Sequence, residues 1–138
     1  MKNVLIIDGQ GGKIGALLVE RLRAELPQAH LTAVGTNSIA TAAMLRAGAH
    51  VGATGENPVA VNARRADIIL GPVGILAADS LAGEVTPAMA LAVGQSEAEK
   101  VLLPVNRCSI YVVGVSDCPV AELIDAAVRR VAAVLREG

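Results

Sequence analysis

The sequence predicts an α/β fold: a doubly wound, mainly parallel sheet in three layers, with helices on both faces. Short continuous apolar runs alternate along the chain with longer segments of helical period. Glycine, proline and capping residues fall between them. Strands alternating with helices demand right-handed crossovers, which cover both faces of a parallel sheet. At 138 residues the chain is expected to form one domain, 1–138.

The elements follow in order. Val4 to Ile7 is an apolar run suited to a strand buried on both faces, and the next segment carries Ile14, Leu17, Leu18, Leu22 and Leu26 at helical spacing before Pro27. HLTAV, from His30 to Val34, reads as a second strand. SIATAAMLRA, from Ser38 to Ala47, reads as a helix capped by Asn37 or Thr36 and ended by Gly48. A brief apolar piece around Val51 precedes TGENP, where Asn57 is the expected cap and Pro58 opens a helix to about Arg65. DIILG (67–71) is a further strand, and a long loop leads to the helix-start pair Thr86-Pro87 and a helix to about Gly94. KVLLPV and IYVVGV, the latter from Ile110 to Val115, are the last expected strands. The final helix, Pro119 to about Arg136, carries an apolar stripe of Val120, Leu123, Ile124, Ala127, Val128 and Val131.

Composition narrows the function. Hydrophobic residues make up 53% of the chain, yet there is one tyrosine and no Phe or Trp, so the core is built from small aliphatic side chains. A net charge of −1, a pI near 6.1 and no basic stripe interleaved with aromatics disfavour nucleic acid as a partner. The apolar run IILGPVGILAA is broken by Gly71, Pro72 and Gly74 and falls short of the roughly 20 residues a membrane span requires. MKNVLIIDG lacks a small-residue cleavage site and reads as a first strand, so a cytoplasmic protein without membrane contact is expected. Cys108 and Cys118 match neither a zinc site nor a CxxC pair, and no metal is expected.

The most informative stretch is DGQGGKIG, Asp8 to Gly15. Glycines at 9, 12 and 15 give GxxGxxG directly after a strand and at the start of a helix. One glycine permits a positive φ, one leaves backbone amides bare for a phosphate, and one lets helix and sheet approach. A P-loop is excluded, because Gly12-Lys13 is followed by Ile14 where Ser or Thr would hold magnesium. The segment Asp8, Gly9, Gln10, Gly11, Gly12, Lys13 and Ile14 is therefore the candidate cradle for a nucleotide or other phosphorylated ligand. Asp8 is expected to tie down the turn through backbone amides, with magnesium as the lesser alternative.

An acid about 20 residues onward would hold an adenosine ribose, but the chain offers Gly35-Thr36-Asn37 there. NAD(P) or another nucleotide, and a smaller phosphorylated metabolite bonded by Thr36 and Asn37, both remain open as ligands. Glu56, in the loop TGENP, is expected to be a solvated loop acid, and is the first suspect if there is acid–base chemistry. Asn106, Arg107 and Cys108 stand at the expected carboxyl edge, where Asn106 suits a hydrogen bond to a ligand, Arg107 suits a phosphate, and Cys108 is expected to be a small buried hydrophobe, with a nucleophile or redox sensor as the lesser alternative. His30 and His50 begin strands on the opposite edge. Asp79, Ser80, Glu84 and Thr86 lie in a loop without GxSxG or a partner histidine, so no hydrolase triad is expected.

Assembled, the stretches IDGQGGKIG, GTNSIATAAMLRAGA, GATGENPVAVNA, ADIILGPVGILAADSLAGEVTPAMA, LLPVNRC and VGVSDCPVAELID resemble a short bacterial family catalogued as a domain of unknown function, over nearly the whole chain. The resemblance implies a Rossmann-like fold in a stand-alone cytoplasmic protein and carries no catalytic residue with it. Gly9 to Gly15 is more distantly similar to the GxxGxxG turn of atypical and extended short-chain dehydrogenases. Their YxxxK pair is missing, since Val115 stands four residues after Tyr111.

Two functions are expected from this. The first is a sensor or regulator holding a phosphorylated ligand at the glycine turn, walled by Thr36, Asn37, Glu56, Asn106 and Arg107. The alternative is a small NAD(P)-dependent oxidoreductase or transferase that uses the same cradle with Glu56 or Cys108 as the reactive group, its site completed by oligomerisation. The small-residue segments SIATAAM and MALAVG suit contacts between protomers, so a homo-oligomer is expected. In a third reading the glycines serve packing alone.

Overall fold

The computed structural model describes residues 2–105 and 109–137. The expectations for Asn106, Arg107 and Cys108 lie outside the described residues. Five strands, β1 (Asn3–Asp8), β2 (His30–Gly35), β3 (Val51–Thr54), β4 (Ile68–Pro72) and β5 (Glu99–Leu103), form one sheet in the order β3-β2-β1-β4-β5. Every ladder is parallel, with Val4 opposite both Leu31 and Ile68. That order is the one found in Rossmann-type sheets, where the chain reverses direction of winding between β1 and β4.

Alternation along β1 explains the three layers. Val4 and Ile6 face one way, into a core shared with α1 (Lys13–Glu25), α2 (Ser38–Ala47) and α5 (Val120–Glu137). Leu5 and Ile7 face the other way, against α3 (Glu56–Arg65) and α4 (Pro87–Gln95). A central parallel strand has no solvent face, so its sequence is apolar at every position rather than at alternate ones.

Capping follows the sequence at two helices. Asn37 Oδ1 accepts from the Ala40 amide at 2.9 Å, and Thr86 Oγ1 accepts from the Met89 amide at 3.1 Å. It departs at α3, whose N-cap is Gly55 at φ 106°, with Asn57 and Pro58 inside the first turn. Here the Gly55 N–H bonds the Gly35 carbonyl at the end of the β2–β3 ladder and so fixes the entry, and no side chain among the described residues caps the helix.

The expected strand Ile110–Val115 does not form. The segment has no ladder partner among the described residues, and Tyr111 and Val113 are exposed at 77% and 87%. Strand propensity reflects the fit of a side chain to a half-buried pleated surface, so it has no force where no neighbour is present. Gly114, at φ 88°, helps bend the chain so that the Val115 amide reaches the Val112 carbonyl.

Candidate functional site

Asp8 ends β1 as a buried carboxylate. Its two oxygens accept from the amides of Gly9 at 2.8 Å and Gly15 at 2.7 Å, spanning the turn from strand to helix. This is the tying role expected of it. The turn is closed by Gly12 N–H to Gly9 C=O at 2.9 Å, and Gly12 caps α1 at φ 72°. Asp8 thereby satisfies one of the orphan amides of the first helical turn. Among the described residues, the amides of Gly11, Lys13 and Ile14 find no acceptor. Lys13 is exposed, whereas Ile14 packs its side chain against the larger core and offers only its amide.

Thr36 and Asn37 leave the end of β2 beside this turn, with the Thr36 amide bonded to the Asp8 carbonyl. The third component comes from the loop between β4 and α4. Glu84 Oε1 accepts three hydrogen bonds: from the Gln10 amide at 2.8 Å, from Thr36 Oγ1 at 2.7 Å and from Asn37 Nδ2 at 2.8 Å. Its other oxygen, Oε2, has no hydrogen-bond partner among the described residues. Leu81 and Val85, on either side of Glu84, are buried in the core beneath α3 and α4. Between Asp79 and Gly83 the loop winds through left-handed conformations, with φ of 67° at Asp79, 55° at Leu81, 56° at Ala82 and 90° at Gly83. Such a backbone is costly for residues other than glycine and is held here by the buried anchors.

In the sequence Glu84 is a loop acid with no motif to give it a role. Its partner Gln10 is 74 residues away, and only the position of β4 beside β1 brings them together. The one signal available was the rule that loops at the carboxyl ends of strands converge, applied to every acid in those loops. Glu56 is placed differently: it begins α3 as an exposed side chain with no hydrogen bond among the described residues. At the opposite edge, the rings of His30 and His50 stack with centroids 5.2 Å apart, a pairing the sequence did not suggest.

The two carboxylates are shifted in opposite directions from their ordinary values. Burial holds Asp8 above its ordinary 3.8, outweighing the amides of Gly15 and Gly9, and the charge of Glu84 adds to the effect. Burial also raises Glu84, but the bonds from Gln10, Thr36 and Asn37 together outweigh it and hold the group below 4.5. The stability Glu84 contributes is present above its unfolded-state value and is lost as pH falls through the depressed folded value. The Asp8 shift has the reverse sign, favouring folding at low pH and losing that contribution as pH rises through the raised value.

Asp8→Asn is expected to cost about 1–3 kcal/mol, because an amide can accept from only one of the Gly9 and Gly15 N–H groups and turns a donor toward the other. A lower urea midpoint at unchanged slope would report this; a midpoint at or above that of the parent would mean that relief of the buried charge dominates.

A family profile described as "Domain of unknown function (DUF3842)" matches residues 3–136. The chain belongs to that family. No curated protein matches the DUF3842 chain. Among solved structures it is similar to a dodecameric FMN-dependent UbiX-like decarboxylase from Escherichia coli O157:H7, at 16% identity over 97% of this chain and 92% of that one, with a TM-score of 0.44. Among the described residues of the DUF3842 chain, no group of three or more His, Cys, Asp or Glu could hold a metal ion, and no helix is long and apolar enough to cross a membrane.

Proposed function

We propose that this DUF3842 protein binds a nucleotide at the turn Asp8 to Ile14 and acts as a sensor or regulator. The observation that carries the reading is Glu84: a carboxylate locked by three donors at the end of β2, with Oε2 unengaged, beside the bare amides of Gly11, Lys13 and Ile14. A carboxylate at that point of a doubly wound sheet suits the hydroxyls of a ribose, and first-turn amides suit a phosphate. A ligand carrying both groups uses both features, which favours a nucleotide over a phosphorylated metabolite without vicinal hydroxyls. The negative charge of Glu84 disfavours a ribose 2′-phosphate, so NAD or an adenosine phosphate is expected to bind better than NADP.

The position of Glu84 supports a sensing role. Ligand contact with its carboxylate acts directly on the left-handed loop that joins β4 to α4.

Native mass spectrometry of the purified protein, followed by calorimetric titration with ADP, NAD and NADP, tests the reading. NAD or ADP is expected to bind and NADP to bind at least about tenfold more weakly, since one charge–charge contact across the site is worth a kcal/mol or more. Gly11→Ala is expected to weaken NAD and ADP by a similar factor, because the added methyl stands where backbone must approach the phosphate. No binding of any of the three, or a preference for NADP, overturns the proposal.

A further inference from the structure

A second feature lies away from the ligand turn and is independent of it. The helix α4, PAMALAVGQ, contains no charged residue. Met89, Ala90 and Val93 face the core, while Leu91 points outward at 58% exposure. A helix that is apolar all round is ordinarily enclosed on all sides. Beside it, α3 and α4 bound a groove of about 470 Å³ floored by Ala60, Ala66, Ala88 and Ala92, with Leu91 and the polar Gln95 and Ser96 also along it. Arg64 and Glu97 stand at its rim. Both are exposed, and neither side chain has an ion pair or hydrogen bond among the described residues. By contrast, Arg21 pairs with Glu25 and Asp125, and Arg130 pairs with Glu99.

We propose that this face is the two-fold interface of a homodimer, in which each copy lays its α4 over α3 of the other. The occupant is a second copy because the face complements itself. Both helices return across the same face of a parallel sheet and run in the same direction, so Arg64, in the last turn of α3, and Glu97, just beyond α4, share one end of the groove. A two-fold axis along the groove exchanges α3 and α4. The same rotation sets Arg64 of each copy against the partner's Glu97, and Leu91 of each copy over the partner's Ala60. One operator thus fills the small-residue floor of each copy with a large side chain and forms two Arg64–Glu97 pairs across the interface, as an isologous contact requires. Leu91 at the centre and the charges at the edge match the apolar-core, polar-rim pattern of protein interfaces.

Sedimentation velocity of the full chain across a concentration series provides the test. The parent is expected to dimerise, and Leu91→Glu to be monomeric at every concentration with an unchanged circular dichroism spectrum. Arg64→Glu and Glu97→Arg are each expected to raise the dimer dissociation constant about tenfold or more, while the double reversal restores it to near the parent value. The swap separates a true pair from a general loss of fold, since a merely structural effect would add rather than cancel. A monomeric parent, or a dimer indifferent to Leu91→Glu and to both single reversals, overturns the proposal.

Discussion

Gly12→Ala is expected to lose about 3 kcal/mol of stability, the sum of roughly 1–2 kcal/mol for a left-handed residue with a side chain and a comparable overpacking cost. Gly12 sits at φ 72°, and a Cβ there would lie 2.7 Å from Cα and 2.9 Å from the carbonyl oxygen of Ala40. Both atoms belong to the backbone of α2, so no side-chain rotation relieves the contact. Either α1 and α2 separate or the turn re-forms, and each disturbs the core that Leu18 and Met44 share. Gly11→Ala is the matched control. A Cβ at Gly11 meets nothing within 4 Å and its φ is not left-handed, so its stability is expected to stay within about 0.5 kcal/mol of the parent. Chemical denaturation of the two variants side by side decides the matter. A tolerant Gly12 would mean that α1 and α2 can part at little cost; a destabilised Gly11 would mean that its bare backbone is needed by the fold itself. With the expected pattern, any loss of ligand affinity in Gly11→Ala reports on the ligand alone.

Glu84→Ala is expected to weaken nucleotide binding by about 1.5–3 kcal/mol, or roughly tenfold to a hundredfold, the worth of a hydrogen bond to a charged group. Folding should change little, because Thr36, Asn37 and Gln10 are partly or fully exposed and can turn to water. Glu84→Gln retains one acceptor oxygen but directs an NH2 toward the three donors or toward the ligand, and should fall between. The depressed pKa of Glu84 keeps the carboxylate ionised from neutral pH down to below 4.5, so its own contribution to the affinity for NAD, whose diphosphate does not titrate in that range, is expected to be lost only in acid. The opposite sign is equally informative. Tighter binding of ADP by Glu84→Ala would mean that the carboxylate holds the place of the ligand's own anion and must be displaced, since three donors converging on one oxygen also describe a phosphate subsite. Gly9 belongs to the same arrangement. A Cβ there would stand 2.5 Å from Thr36 Oγ1 and 2.8 Å from Glu84 Oε1, so the first glycine of the motif makes room for an internal carboxylate.

The elements of this protein are written locally. The uniform apolarity of Val4 to Ile7 marks a strand with two covered faces, Asn37 and Thr86 mark helix starts, and glycines between strand and helix mark the first crossover. Each depends on residues within a few positions of one another, which is why they are legible without a fold. Even Asp8 could be assigned its tying role, because its partners Gly9 and Gly15 lie in the same turn.

What the tertiary structure alone decided involves residues far apart in the chain. The strand potential of Ile110 to Val115 came to nothing because a strand is a relation between two segments, and among the described residues no second segment lies beside it. The glycines of one motif took different tasks according to what the fold set beside each: Ala40 at Gly12, Met44 at Gly15, open space at Gly11. Glu84, one of the two acids in the loop between β4 and α4, became the centre of the candidate site because β4 pairs with β1 and carries that loop over Gln10, Thr36 and Asn37. Local sequence specifies which backbone a segment prefers; only the packing of strands side by side specifies which distant side chain will find it.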